Sequence, residues 1–348
     1  MEQWVENLFS KEVLDEAASR YKADATNAKK LGDFENYVYE VERGGKSYIL
    51  RLTHSSHRSK EEVEGELKWI NFLNGRGIHV SLVHESVNGE LVETVPVSGS
   101  NFFVCLFDKA PGSPVQMSSP EFGPELFEKW GAITAHMHLA TEEYDASESQ
   151  RLRWDEDDLI ELEKHINPVE DKDIVEGNRK LVASLHQLPQ TKETFGLIHS
   201  DIHPGNFFYH EGDIHVFDFD DAMYFYFASD IAIPLYYFIW WKYRKETLEA
   251  RSTVGKDILT HFLKGYMSVR EISREWVERL PMFLKLRDYT LYGIFNKKVD
   301  LSAKEHEIEN QLVAEIRERL IKNEPIVDLD YGAIWEQSLS RAQEQGIN

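Results

Sequence analysis

Residues 197–221 read LIHSDIHPGNFFYHEGDIHVFDFDD. Within them His199-x-Asp201 is followed by Asn206, five residues past the aspartate, and then by Asp218-Phe219-Asp220. A β-rich run at 196–199 leads into the loop, and Pro204-Gly205 sets its turn. A hairpin turning at Glu211-Gly212-Asp213 brings the chain back along a second β-rich run, 213–219. Asn206 offers a neutral oxygen ligand and Asp218 a charged one, a pair suited to a hard cation such as Mg²⁺ bound with substrate phosphates. Asp201 shares a loop with Asn206, where it can orient an attacking hydroxyl and take its proton. A base and a metal ligand at fixed separation suit in-line phosphoryl transfer, because that reaction is catalysed mostly by positioning and charge neutralisation. Asp220 and Asp221 leave two readings open: ligands for a substrate ammonium or second cation, or solvated turn residues. His199, His203, His210 and His215 do not have the spacing of a zinc site. The chain has no G-x-S-x-G elbow and no GxxxxGK[ST] loop, which excludes those hydrolase and P-loop chemistries.

Working outward, 348 residues exceed the usual ~100–200 per domain, so two domains or one bilobal enzyme are expected. There are 39 Lys and Arg against 61 Asp and Glu, a net charge of −22. Nucleic acid and anionic membranes need basic surface, so neither is an expected partner. The single cysteine, Cys105, excludes an intramolecular disulfide and a cysteine metal cluster, and fits a reducing, cytoplasmic setting. The opening MEQWVENLFSKEV lacks the basic flank and apolar core of a signal peptide. The longest apolar run, 231–241, contains Pro234 and is far shorter than the ~20 residues of a membrane helix, so it reads as a buried helix.

Before residue 110 the pattern is strand, hairpin, strand, helix, strands. Residues 4–20 have helical spacing. Residues 33–41 alternate, with Tyr37, Tyr39 and Val41 on one face, and Gly44-Gly45 is a two-residue turn before a strand at 47–52. Residues 59–73 form a helix along Val63, Leu67 and Ile70, and further strands fall near 81–86, 90–97 and 101–107. Ala110-Pro111-Gly112-Ser113-Pro114 is the strongest punctuation and marks the expected hinge. Beyond it the chain reads mainly helical, including 127–139 with Trp130, Ile133 and Met137 on one face. Residues 141–176 carry 14 acidic and 4 basic residues. This stretch reads as a solvated helical face, or as a funnel for a cationic substrate.

The segments HSDIHPGN (199–206) and VFDFDD (216–221) resemble the aminoglycoside phosphotransferase, choline kinase and homoserine kinase superfamily, whose pattern is HGDxHxxN followed by a hydrophobic DF/W-D element. Ser200 stands where that family commonly has Gly. The resemblance implies an α+β, bilobal protein-kinase-like fold. Residues 1–109 would be a small lobe with an antiparallel sheet and one crossing helix. Residues 110–348 would be a larger, mainly helical lobe with the catalytic loop 199–206, the metal-binding segment 216–221 and the acceptor site.

It further implies that Gly32-Asp33-Phe34-Glu35-Asn36 covers the nucleotide phosphates, that Ile49 faces adenine and Arg51 the phosphates, and that the adenine hinge lies near Phe107. Periodicity leaves Glu62 and Glu66 as carboxylates for Arg51, and the resemblance selects Glu66. His199 and Asp220 take supporting places. Asp230, in the family's "D-hydrophobic-A" element, is expected to accept hydrogen bonds from the catalytic-loop backbone. The expected function is an ATP- and Mg²⁺-dependent kinase of a small-molecule hydroxyl, with GTP the alternative donor. Its acceptor is expected to be an amine-bearing alcohol, amino sugar or hydroxy amino acid, lying near the helices of the 141–176 region. The alternatives are an atypical protein Ser/Thr kinase of the same superfamily and a non-catalytic nucleotide-binding protein. Oligomeric state is not legible.

Overall fold

The computed structural model describes residues 3–299 and 306–344. The outermost residues of both expected lobes, 1–2 and 345–348, and the internal stretch 300–305 lie outside them. The chain divides into two compact units, and the division is not a single cut. The first unit takes the chain up to Pro114 together with Glu143–Arg151 and Asn206–Ala222; the second takes Val115–Glu142, Leu152–Gly205 and the rest.

The first unit contains α1 (Gln3–Glu6), α2 (Lys11–Ser19), β1 (Asp24–Gly32), β2 (Asn36–Arg43), β3 (Lys46–His54), α3 (Lys60–Gly75), β4 (Val83–His84), β5 (Glu93–Val97) and β6 (Ser100–Asp108). Its sheet runs β1-β2-β3-β6-β4, with β5 also paired to β6 and every pairing antiparallel. The β2–β3 hairpin closes at Gly44-Gly45, whose φ angles of +60° and +78° suit a tight turn that a side chain would strain. One face of the sheet buries Tyr37, Tyr39, Leu50, Leu52, Val104 and Leu106 against Leu14, Ala17 and Ala18 of α2. The single helix expected over 4–20 is thus two helices, broken where Ser10 caps the second by accepting from Val13 N.

Strand β1 has no counterpart in the sequence reading. Its residues, DATNAKKLG, bury little on either face, so no alternation announces them. Helix α3 begins with a capping box in which Ser59 and Glu62 satisfy each other's backbone N–H. A second hairpin, β8 (Phe207–His210) with β9 (Asp213–Val216), belongs to this unit and turns at Glu211-Gly212.

The second unit holds α4 (Pro124–Thr141), α5 (Lys172–Leu185), β7 (Phe195–Ile198), β10 (Met223–Tyr226), α6 (Phe227–Lys242), α7 (Leu248–Met267), α8 (Arg274–Glu278), α9 (Leu280–Lys298), α10 (Glu307–Lys322) and α11 (Tyr331–Glu344). Strands β7 and β10 pair antiparallel at the root of the catalytic loop. Helices α4 and α7 meet backbone to backbone. A Cβ on Gly131 would lie 1.9 Å from Phe262 O, and one on Gly265 would lie 1.8 Å from Glu128 O. On α4, Trp130 and Met137 are buried as the spacing predicts, but Ile133 is only half-buried and Thr134 and His138 fill that face. Helix α6 contains the apolar run 231–241 and is buried through almost its whole length, Pro234 included. Among the described residues no helix is long and apolar enough to cross a membrane.

The helices expected in the acidic stretch are absent up to α5. Four 3₁₀ turns stand there instead, at Ala146–Glu148, Trp154–Glu156, Asp158–Ile160 and Leu162–Lys164. Asp145 and Asp157 side chains accept from backbone N–H groups two residues on, a local bond that competes with helix formation. The carboxylates are largely matched by cations: Asp158 with Lys297 at 2.8 Å, Glu163 with Arg179 at 2.6 Å, Asp171 with Arg317 at 2.7 Å. A strong funnel for a cationic acceptor does not follow from charge already paired in this way.

Candidate active site

In the first unit, cross-strand register places the expected nucleotide residues on one face of the sheet. Arg51 stands opposite Val38 and Cys105, Ile49 opposite Glu40 and Phe107, and Asn36 opposite Thr53. Directly paired residues share a face, so Asn36, Ile49, Arg51 and Phe107 line the side away from α2. Arg51 donates to both oxygens of Glu66, Nη1 to Oε1 at 2.8 Å and Nη2 to Oε2 at 2.7 Å, with the two side chains 5% and 0% exposed. Glu62 is spent on the N-terminal cap of α3, one turn away, which leaves Glu66 to meet the arginine. The Arg51 guanidinium also lies 5.2 Å from the centroid of the Phe107 ring. Cys105, beside this pair, is inert, since burial pushes its thiol up to about 12.

The β8–β9 hairpin brings the two expected metal ligands to the same end. Asn206 precedes β8, Asp218 follows β9, and Phe217 N donates to Asn206 O at 3.0 Å. Asp218 adopts a left-handed backbone, φ +63°, a conformation a side chain takes only when its surroundings hold it there. Asp218 is exposed, yet desolvation by the chain packed around its carboxyl, and then the charge of Asp220, push that carboxyl up to about 7, against the pull of Arg51.

Several buried polar atoms nearby have no hydrogen-bond partner, among them Asn36 Oδ1, Arg51 Nε, Thr53 Oγ1 and Asp220 Oδ1. An elevated carboxyl among acidic neighbours, with orphaned donors and acceptors around it, fits a site completed by a cation and phosphate oxygens.

Asp220 is not the solvated turn residue that one of the two open readings made it. It is buried, and His57 Nε2 lies 2.7 Å from its Oδ2. Arg58 donates to its carbonyl at 3.0 Å, as does Arg151, which also donates to Ala222 O at 2.7 Å and Glu62 O at 3.2 Å. Burial pushes the Asp220 carboxyl up, but the His57 hydrogen bond and the Arg58 charge overcome this and hold it well below the usual carboxylate range. On its other side His57 Nδ1 reaches within 3.5 Å of Glu35 Oε2, in the segment expected to cover phosphates. Asp221 is exposed, 3.4 Å from Arg58.

In the second unit, Asp230 sits in the first turn of α6 and accepts from His199 N at 3.0 Å and Ser200 N at 2.7 Å. Ser200 has φ +68°, the left-handed region that favours the Gly common in the resembled family. His199 is fully buried, and its Nδ1 accepts from Asp201 N at 3.3 Å.

Both oxygens of Asp201 are held. His203 Nε2 lies 3.2 Å from Oδ2, and Arg287 Nη2 donates to Oδ1 at 2.6 Å. Gly205 N donates to His203 Nδ1 at 3.0 Å, so Nε2 carries the proton directed at Asp201. Arg287 also donates to the Tyr237 hydroxyl, and the His203 ring packs edge-on against Tyr237 and Trp241 at 4.9 and 4.8 Å. Burial raises the Asp201 carboxyl, but the His203 hydrogen bond and the Arg287 charge more than reverse it and leave it well below the usual range.

Residues 28–263 match the sequence profile of the Phosphotransferase enzyme family. The chain belongs to that family. This phosphotransferase is 34% identical over 334 residues to the amicoumacin kinase of Bacillus subtilis (strain 168), covering 95% of its own length and 98% of the relative's. A solved amicoumacin kinase in complex with AMP-PNP, Ca²⁺ and Ami superposes with a TM-score of 0.89 at 34% identity, over 96% of this chain and 100% of that one. A microcompartment-associated aminopropanol kinase, 21% identical with a TM-score of 0.72 over 90% of this chain and 98% of that one, shares the fold. The phosphotransferase therefore has the protein-kinase-like α+β fold and is a kinase of small-molecule hydroxyls.

His57, Arg58, Arg151 and Arg287 were not found from sequence, and His203 was weighed only as a zinc ligand. The basic pair His57-Arg58 directly before the Ser59 cap was a usable signal. Arg287, 86 residues beyond Asp201, had none.

Proposed function

We propose that this phosphotransferase transfers the γ-phosphoryl group of ATP, with Mg²⁺, to a hydroxyl of a small molecule related to amicoumacin. Similarity along almost the whole chain to an amicoumacin kinase supports that acceptor class. When bound, ATP and Mg²⁺ supply the phosphoryl group and neutralise its charge. Asn206 and Asp218 would hold the cation. Arg51, kept in place by Glu66, would hold phosphate oxygens in the bidentate way a lysine cannot. Ile49 and Phe107 would flank adenine, and Asn36 would close the phosphate-covering segment. Asp201 orients the acceptor hydroxyl and takes its proton, while His199 and Asp230 shape its loop and Asp220 anchors the segment that carries Asp218. The functional lobes are 1–109 and 110–348, and the cytoplasm is the proposed compartment. A protein substrate gains no support, because about a dozen residues separate Asp218 from Asp230, little platform for a peptide.

The observation that carries this reading is Asp218: left-handed, pushed up to about 7 among acidic neighbours, and at the same hairpin end as Asn206. The test is coupled ADP release with amicoumacin, then with a panel of amino alcohols, sugars and aminoglycosides. Turnover is expected with amicoumacin or a close relative, absent in Asp201→Ala, with nucleotide binding by calorimetry nearly intact. Full turnover in Asp201→Ala would remove Asp201 as the base.

A further inference from the structure

We propose that Arg287 is a positioning residue for the transfer step: it clamps the Asp201 carboxylate in one orientation and keeps it ionised, so that Asp201 acts by aim more than by basicity. This rests on Asp201 being the group that receives the proton. Helix α9 brings Arg287 to Asp201 Oδ1 at 2.6 Å, and the Tyr237 hydroxyl on α6 accepts from the same Nη2. The guanidinium lies 4.9 Å from the Tyr237 ring centroid, so the ring as well as the hydroxyl of Tyr237 meets the arginine. Oδ2 is held by His203, whose own ring is fixed by Gly205 N and by Tyr237 and Trp241. Among the polar and charged groups facing Asp201 are Arg287 from α9, His203 and His199 from its own loop and, through Arg287, Tyr237 from α6.

A carboxylate oxygen has two lone pairs, so one held by Arg287 or His203 can still accept from the acceptor hydroxyl. As the acceptor oxygen bonds to the γ-phosphorus, the bond from that phosphorus to the β,γ-bridging oxygen breaks and ADP leaves. The hydroxyl proton passes to Asp201 and then to water. In a loose transition state the proton moves late, so a weakly basic but well-aimed carboxylate suffices. What it must not do is rotate or become protonated, and a bound cation prevents both.

The test compares wild type with Arg287→Gln, Arg287→Lys and Tyr237→Phe at saturating Mg²⁺, using amicoumacin as acceptor and, separately, water through slow ATP hydrolysis. Arg287→Gln is expected to lower kcat about 10- to 100-fold with the KM for ATP unchanged. The acid limb of its kcat profile should move up by about 1 pH unit or more once the cation is gone. Arg287→Lys restores charge but not fork geometry, so the acid limb returns toward wild type while kcat stays low. Tyr237→Phe loosens the arginine without removing charge, and lowers kcat several-fold at an unmoved acid limb. An acid limb that stays put in Arg287→Gln, or a Lys variant as impaired in its pH profile as the Gln variant, overturns the proposal. If Arg287→Gln does not fold, the Lys and Phe variants decide, since wild-type kcat in both would also overturn it. An inactive Asp201→Ala alongside unaffected Arg287 variants sinks this proposal alone, whereas an active Asp201→Ala sinks the base assignment itself.

Discussion

Arg51 finds its carboxylate 15 residues along the chain, on the helix that follows its strand; Asp201 finds its cation 86 residues along, on α9. The first pair is almost fully buried, at 5% and 0% exposed, and makes two parallel hydrogen bonds. The second is partly open, at 23% and 16%, and makes one. A nucleotide phosphate is the same in every turnover, so a rigid, desolvated fork suits its binding. An acceptor hydroxyl must enter, lose a proton and leave, so the proposed base, Asp201, would need to be restrained but reachable. The two regions thus use the same chemistry, a guanidinium against a carboxylate, for opposite ends: in one the carboxylate positions the cation, in the other the cation positions the carboxylate.

The largest expected effect tests the nucleotide side. Asp218→Asn should cut kcat by about 10³ or more, with saturation by Mg²⁺ lost, because the cation would lose the charged one of its two proposed ligands. Near-normal Mg²⁺-dependent turnover in that variant would show that the cation is held elsewhere. Next, Glu66→Ala strands Arg51 without its partner in a buried site and should cost about 3–5 kcal/mol in denaturant unfolding. If the loss were no larger than that of an exposed pair, the contrast between the two regions would fail.

A third expectation concerns pH. The Asp218 carboxyl is raised from the usual ~3.9 to about 7 in the folded protein. Its contribution to metal-free stability is therefore fully present below the ordinary carboxylate pKa and lost as pH rises through about 7. Below that pH, Mg²⁺ must displace a proton and its apparent affinity should fall about tenfold per unit. The rise in Tm on adding Mg²⁺ should accordingly be larger at pH 8 than at pH 6, and equal shifts would contradict the raised pKa. The smallest effect is expected far from either region. Arg179→Ala breaks an exposed pair with Glu163, one side 66% exposed, and should change stability by about 0–1 kcal/mol with no effect on kcat.

Legibility followed locality. The β2–β3 hairpin, helix α3 and the β8–β9 hairpin were all read from short-range signals: two glycines, an apolar stripe, a turn tripeptide. Strand β1 was not, because DATNAKKLG lies at the sheet edge with hardly any buried face and so shows no period. Residues 141–176 looked helical by composition, but their aspartates bond their own backbone and make 3₁₀ turns. Among the candidate site residues, Glu66 could be separated from Glu62 only by resemblance. The structure adds a reason, since Glu62 is occupied at the helix cap.

Motif spacing was enough, by itself, to name a metal-dependent phosphoryl transfer and the three polar groups for it, because a catalytic loop and the hairpin after it are contiguous chain. Packing alone settled the company those groups keep: Arg287 on Asp201, His57 and Arg58 on Asp220, and a protonatable Asp218. Charge interactions depend on distance through space and on exclusion of water, and a helix arriving 86 residues later sets both without leaving any mark in the local pattern.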